Sequence, residues 1–504
     1  MPKKVIIIGA GIGGLATANL LQKAGFDVAV YEKNKQLGGR AGQRKTKGFT
    51  FDTGPSWYLM PEVFQKYFEL FNINVTKELG IARLDPAYKV FFESHDPVTI
   101  QGDVDKDAVT FESIEAGSGE RLKKYVTEGN EIYQMAMRHF LYTNFTRYAD
   151  LANKEVLGST GRMAKLLLTP IHSRVKKFVT AKPLQQILEY PMVFLGTSPF
   201  KAPAMYSLMS ALDFKEGVYY PKKGMYSIIE LLVITGKKLG VTYHPNSDVS
   251  YINHENGAAT GITIGKKFIP ADIVISNADL HHTETKLLDA PARSYPDSYW
   301  QKKESGISAL LLYIGVKGSI PQMEHHNLLF VDKWKQNFTD IYKDKQIPES
   351  ASIYVSRTTA TDKTTAPKGH ENLFVLIPLP TDVHITKVAQ QKLAKRFISQ
   401  VAQAIDVPDL EKKIVSMETF GPTDFKNTFN AWEGTALGMS HLLKQSAMWR
   451  TPNKSKKLKN VYYVGASTVP GIGLPMCLIS AQLVYKRIMG IKKGGPVMNI
   501  EERT

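Results

Sequence analysis

Two hydrophobic periods alternate along the chain. Val5 to Ile8 is an unbroken apolar run of β-branched residues, the pattern of a strand buried on both faces of a parallel sheet. Gly9 to Gly14 supplies a turn, Leu15 to Ala24 has a helical period that Gly25 stops, and Val28 to Tyr31 predicts a second strand ending at Glu32. This is one βαβ unit. From about residue 55 to 235 the texture changes to charged helical stretches, aromatic clusters and the apolar segment Pro191 to Ala211. Strand patterns return at Val241 and Tyr243, Val249 to Ile252, Gly261 to Ile264 and Ala271 to Ala278. A second departure, from about 290 to 450, carries strand-like Ser308 to Ile314 and Leu373 to Pro378 and a helical period from Thr386 to Ile405. Val461 to Val464 is then a strand, and Leu474 to Met489 a last helix.

The strand-to-helix corners carry the chemistry. Gly9, Gly11 and Gly14, with Gly13 between them, fit G-x-G-x-x-G: Gly9 makes the turn, Gly11 admits a diphosphate, and Gly14 allows close helix–strand packing. Helix N-terminal amides there receive negative charge. Glu32, at the end of the second strand, can accept both ribose hydroxyls and repels a 2′-phosphate. Gly38, Gly39 and Arg40 follow, two glycines for close backbone approach and a forked donor for phosphate or ribose. Gly54 and Pro55 in FTFDTGP place rigid backbone beside a flat ring. A second cluster, Gly465, Gly471 and Gly473 leading into Leu474 and Pro475, offers helix amides to a second phosphate or a flavin ring, where they stabilise negative charge on reduction. One cofactor gripped at both ends of the chain implies a resident flavin, FAD, rather than an exchangeable nicotinamide. The fold expected is α/β: a Rossmann-like FAD-binding domain, discontinuous in sequence, with an inserted α+β substrate domain. Residues 1–90, 236–290 and 456–504 are assigned to the cofactor domain, the last with the C-terminal helix, and 91–235 and 291–455 to the substrate domain, the former facing the membrane.

Composition narrows the partners. The 504 residues exceed what one core usually supports. The net charge of +17 favours anionic partners. No nucleic-acid module accompanies it, so an anionic membrane surface is the better candidate and nucleic acid is not expected. The one cysteine, Cys477, excludes an internal disulfide and reads as a buried structural thiol. MPKK running straight into a strand leaves no signal peptide, and no apolar stretch is long enough to span a bilayer, so a cytoplasmic, peripherally membrane-associated protein is expected. His325 and His326 are expected on opposite sides of a strand, His281 and His282 lack metal-ligand spacing, and no metal is assigned. Pro191 to Met209, with Met192, Phe194, Phe200, Met205 and Met209, suits either an adaptable tunnel wall or an ordinary core. Arg174, Lys176 and Lys177 beside Leu166 to Leu168, and Lys486, Arg487, Lys492 and Lys493, are either lipid-facing or a solvated basic surface.

The ends of the chain, GAGIGGLATANLLQKAGFDVAVYEKNKQLGGRAG with FDTGPSWYLMP and GASTVPGIGLPMCLISAQLVYKRI, resemble the bacterial-type phytoene desaturases, carotenoid FAD enzymes within the amine-oxidase-like flavoproteins. Internal segments such as FLGTSPFKAPAMYSLM, GVYYPKKGMYSIIE and APKGHENLFVLIPLP are similar too, so the resemblance is essentially full length. It implies removal of hydrogens from a long apolar polyene, most simply phytoene, with hydride transfer to flavin N5 and reoxidation by a quinone or oxygen. Hydroxylated or C30 carotenoids, or isomerisation, are the implied alternatives; a non-catalytic lipid-binding homologue is a distant one. Gly9, Gly11, Gly14, Glu32 and Arg40 would hold the adenosine diphosphate, Val249 would meet adenine through its backbone, and Gly465 to Pro475 would lie along the isoalloxazine. Val469 stands where many relatives have histidine, and no catalytic acid or base is named.

Overall fold

The computed structural model describes residues 1–144 and 160–501; residues 145–159, inside the segment assigned to 91–235, and 502–504 lie outside the described residues. Five parallel strands form the cofactor-side sheet, in the spatial order Val461–Tyr463, Ile273–Ser276, Lys4–Ile8, Asp27–Tyr31 and Thr242–His244. The chain therefore leaves this sheet after its second strand and returns three times. Val5 sits between Val28 and Ile273 on the helix-covered face, while Ile6, Ile8 and Val274 on the other face are buried against Val249, Ile252 and Ile262 of a small antiparallel sheet, so both faces are apolar. The Gly-rich turn leads into the helix Ile12–Lys23, whose apolar surface packs against the helices Tyr226–Leu239 and Leu474–Met489. Asn19 Nδ2 donates to the Leu232 carbonyl at 2.9 Å and Tyr67 Oη to the Ala16 carbonyl at 2.9 Å, fastening neighbours to the same helix.

A second, mixed sheet of seven strands orders Ile414–Phe420, Ser308–Lys317, His370–Leu379, Ile353–Ser356, His326–Phe330, Tyr88–Phe92 and Val98–Ile100. All its pairings are antiparallel except His326–Phe330 with Tyr88–Phe92. The period of two decides what each face does. Leu310, Leu312 and Ile314 join Phe397, Ile398 and Val401 of the helix Lys387–Ala404 in one core, whereas Ala309, Leu311 and Tyr313 turn to the other side and the main core. A three-stranded antiparallel sheet, Val249–Glu255, Ala258–Ile264 and Lys267–Pro270, completes the architecture. The expected α/β fold, a discontinuous parallel dinucleotide-binding sheet with an inserted substrate region, is what forms.

Three local expectations are corrected. His325 precedes its strand rather than sharing it, so the rings of His325 and His326 meet at 4.5 Å instead of pointing to opposite sides. Burial beside Arg357 pushes His325 down to about 3, and burial lowers His326 as well. Lys486 cannot face lipid: it is 3% exposed, its amine donates to the carbonyls of Tyr142 and Lys493, and burial pushes it down to about 8. Arg174 is engaged by Glu128 at 2.6 Å, leaving Lys176 and Lys177 exposed.

Asp213, 3% exposed, accepts hydrogen bonds from Tyr88 Oη at 2.8 Å and Tyr190 Oη at 2.7 Å. Burial outweighs these donors and pushes its carboxyl up to about 7. A folded value above the unfolded ~3.9 makes the contribution complete below about pH 4 and progressively lost as pH rises to about 7, by at most about 1.4 kcal/mol per pH unit. Asp213→Asn is expected to remove its share of this decline in denaturant titrations across that range. Glu216, also pushed up to about 7 by burial, keeps a residual slope of the same sign. An unaltered slope contradicts the assignment.

Candidate functional site

The carboxyl ends of the parallel strands open into a cavity of about 880 Å³ that runs from the glycine turns to the face of the seven-stranded sheet. Gly9, Gly11, Gly13, Glu32, Gly39, Arg40, Gly54, Pro55, Val249, Gly465, Gly473, Leu474 and Pro475 all line it, which brings together three distant parts of the chain. Gly14 and Gly471 do not. A Cβ at Gly14 would run into the Gly9 carbonyl, so Gly14 serves helix–strand packing; Gly471 has its open side against the His441 ring.

At the turn, Glu32 Oε2 accepts the Ala10 amide at 2.8 Å, and Oε1 accepts the Asn34 amide and side chain, each at 2.9 Å. The carboxylate is thus aimed back at the glycines by the strand end that carries it. Asn277, just past the strand Ile273–Ser276, belongs to no motif of the sequence, yet three glycines from both chain ends close on it. A Cβ at Gly11 would lie 2.7 Å from its Nδ2, and one at Gly13 or Gly465 2.8 Å from its Oδ1. The sequence signal was only the end of ADIVISNA.

Arg40 is half-buried in the cavity wall, with Nη2 on the Thr435 carbonyl at 3.2 Å and its charge 5.6 Å from the Phe429 ring centre. Burial lowers its pKa, opposed by Asp279, and its Nε is buried without a partner. Gly54 is held where a side chain would strike the Arg40 carbonyl. Asp52, two residues earlier, accepts the Met225 amide at 3.0 Å, the Tyr226 amide at 3.1 Å and Tyr220 Oη at 3.0 Å, which ties FTFDTGP to the start of the helix Tyr226–Leu239.

Beyond the glycines the wall is apolar. The segment 191–209 divides between the two roles open to it: Phe194, Met205, Leu208 and Met209 line the cavity, while Met192 is fully buried in the core. Leu311, Leu376 and Phe420 of the seven-stranded sheet face them. Trp57 lines the floor, stacked on His326 at 4.5 Å and 9°. His282 reaches the cavity edge beside Asn430 Nδ2 at 3.2 Å, and His281 stacks on Trp432 at 5.7 Å. Val469, 2% exposed, uses its amide on the Thr451 carbonyl at 3.0 Å, so the imidazole nearest that loop is His441 from another segment. Among the described residues, no cluster of three or more histidine, cysteine or acidic side chains is placed to hold a metal.

Residues 12–489 match the family model of flavin-containing amine oxidoreductases. The chain belongs to that family. Its sequence places it with the carotenoid desaturases inside it: it is 39% identical over 478 residues to a carotenoid 3,4-desaturase from Haloarcula japonica, covering 95% of this chain and 96% of the relative. It is 34% identical over 496 residues to a zeta-carotene-forming phytoene desaturase from Myxococcus xanthus, covering 97% and 94%. An oxidoreductase structure from Methanosarcina mazei shares the fold, with a TM-score of 0.60, 16% identity and coverage of 97% and 100%. This flavin-dependent oxidoreductase family implies FAD, and the site fits it. The orphaned Arg40 Nε suits a phosphate or ribose oxygen, Gly11 and Gly13 leave the turn bare of side chains, and the Glu32 carboxylate at the end of the second strand is held against that turn, where it could accept ribose hydroxyls. No described helix is long and apolar enough to cross a membrane.

Proposed function

We propose that this flavoenzyme desaturates a long carotenoid at the 3,4 bond of its end group, in preference to phytoene. The observation that carries this reading is an apolar cavity continuous with the dinucleotide turns, in a chain more similar to a 3,4-desaturase than to a phytoene desaturase. FAD, when bound, supplies the two-electron acceptor. Gly9, Gly11, Gly13, Glu32, Gly39 and Arg40 bind its adenosine diphosphate half, Val249 meets the adenine, and Gly54, Pro55 and Gly465 to Pro475 border the ring. Gly14 and Gly471 support these loops from behind. Phe194, Met205 and Met209 against Leu311, Leu376 and Phe420 hold the polyene and exclude water, because an unactivated C–H must be kept about 3–3.5 Å from its acceptor.

Access is proposed from an anionic membrane on the cytoplasmic side, with a quinone or oxygen as final acceptor. The helix Thr160–Leu168 lines the cavity with Met163 and Leu167 and exposes Leu168 at 75%, with Lys176 and Lys177 also exposed nearby in sequence. The cofactor segments 1–90, 236–290 and 456–504 and the substrate segments 91–235 and 291–455 are proposed as the functional division of the chain.

The test offers the FAD-loaded enzyme phytoene, a hydroxylated acyclic carotenoid and an extended conjugated carotenoid in liposomes, with products separated by chromatography. Loss of two hydrogens next to the end group of an extended substrate, with phytoene unconverted, is expected. Conversion of phytoene alone overturns the 3,4 assignment.

A further inference from the structure

We propose that Arg450 is a built-in positive charge that stabilises the negative charge a bound flavin gains on reduction, an inference that rests on the FAD reading above. Arg450 is 2% exposed and all its hydrogen-bond partners are carbonyls: Nε to Thr468 at 3.0 Å, Nη1 to Gln445 at 3.0 Å, and Nη2 to Met439 at 3.0 Å and Ala466 at 2.5 Å. No carboxylate is among them. The groups whose negative forms its charge favours are Tyr206, Tyr299 and Cys477, all neutral, and the thiol is pushed up to about 12 by burial despite that help.

Histidine does not change this balance. His441 Nε2 accepts the Ile472 amide at 3.1 Å, so its proton is on Nδ1, which donates to Tyr206 Oη at 3.0 Å; Tyr206 in turn donates to Ser446 Oγ at 2.8 Å, and Ser446 to the Leu442 carbonyl at 2.9 Å. Each step of that chain fixes the direction of the next, and the imidazole is neutral. Burial and the neighbouring guanidinium hold it so, well below the usual histidine range. The result is a buried cation without a carboxylate counter-ion among the described residues, which is costly unless an anion arrives.

The charge lies at the loop assigned to the flavin ring. Its carbonyl partners include Ala466, which lines the cavity, and a Cβ at Gly471 would lie 3.6 Å from Arg450 Cζ. The helix Leu474–Met489 also begins here and adds potential of the same sign. A structural tie alone would need the donors but not the charge, and this separates the two roles.

The experiment uses the full chain loaded with FAD and reads sulfite binding, since the flavin–sulfite adduct is anionic, together with the two-electron midpoint potential. Arg450→Gln is expected to weaken sulfite binding at least tenfold and to lower the potential by about 30 mV, the two-electron equivalent of that factor. Arg450→Lys should restore both. Cys477→Asp leaves the arginine in place and sets a carboxylate against both Arg450 and Arg40, so it should weaken sulfite binding in the same direction even if Arg450→Gln does not fold. Unchanged sulfite affinity and potential in flavin-containing Arg450→Gln or Cys477→Asp protein overturns the proposal alone. Wild-type protein that takes up no FAD overturns the flavin reading beneath it.

Discussion

Gly11→Val is expected to yield a folded protein without flavin. A Cβ at this position already meets Asn277 Nδ2 at 2.7 Å, and the valine methyls would extend into the cavity between Gly9 and Gly39, where the diphosphate is assigned. Asn277 is a side chain and can retreat; a diphosphate held by backbone amides cannot. Affinity for FAD should fall by at least about a hundredfold, equivalent to the loss of two or more charge-assisted hydrogen bonds. The contrast with Gly14 is physical: there the added carbon meets the Gly9 carbonyl, so substitution attacks the fold first. Absorbance of the purified protein, FAD titration and circular dichroism separate these outcomes. Retention of flavin by folded Gly11→Val protein would remove the turn from the binding site.

Asp52→Ala carries the second large effect. It strips three donors, the Met225 and Tyr226 amides and Tyr220 Oη, of their common acceptor in a place that is 8% exposed to water. Burial raises the Asp52 carboxyl pKa, and the hydrogen bonds from Met225, Tyr220 and Tyr226 oppose that rise. Removing it should destabilise the protein by about 3 kcal/mol, about 1 kcal/mol for each donor left without its acceptor, and loosen Thr53 to Pro55 at the cavity wall. Asp52→Asn, which keeps one acceptor oxygen, should recover part of this in denaturant unfolding. Equal stability of Asp52→Ala and wild type contradicts the role.

The elements legible in the sequence are those whose signals are local. Val5 to Ile8 shows its burial by being apolar throughout, and the glycine spacing after it shows a turn. The strand Ser308–Lys317 and the helix Lys387–Ala404 declare themselves by period, within two or three residues of their ends. What escaped is set by long-range contact. Asn277 is one polar residue after a strand until Gly11, Gly13 and Gly465 surround it. Arg450 lies in no motif, and its meaning depends on carbonyls from residues 439 to 468 converging on it. Lys486 read as surface charge because it sits in a last helical turn, but that helix is covered by the chain after it and the amine turns inward. The strand begins at His326, one residue after His325, so alternation does not apply to that pair.

The central claim, that FAD at the glycine turns takes electrons from a polyene lying in the adjoining cavity, is tested most directly by a single anaerobic turnover. The FAD-loaded enzyme is mixed with liposomes carrying an extended carotenoid, and flavin absorbance is followed alongside the product. One flavin should bleach for each pair of hydrogens lost by the carotenoid, and Gly11→Val protein should do neither. Dehydrogenated product formed while the flavin stays oxidised throughout, with oxygen absent, would contradict the account.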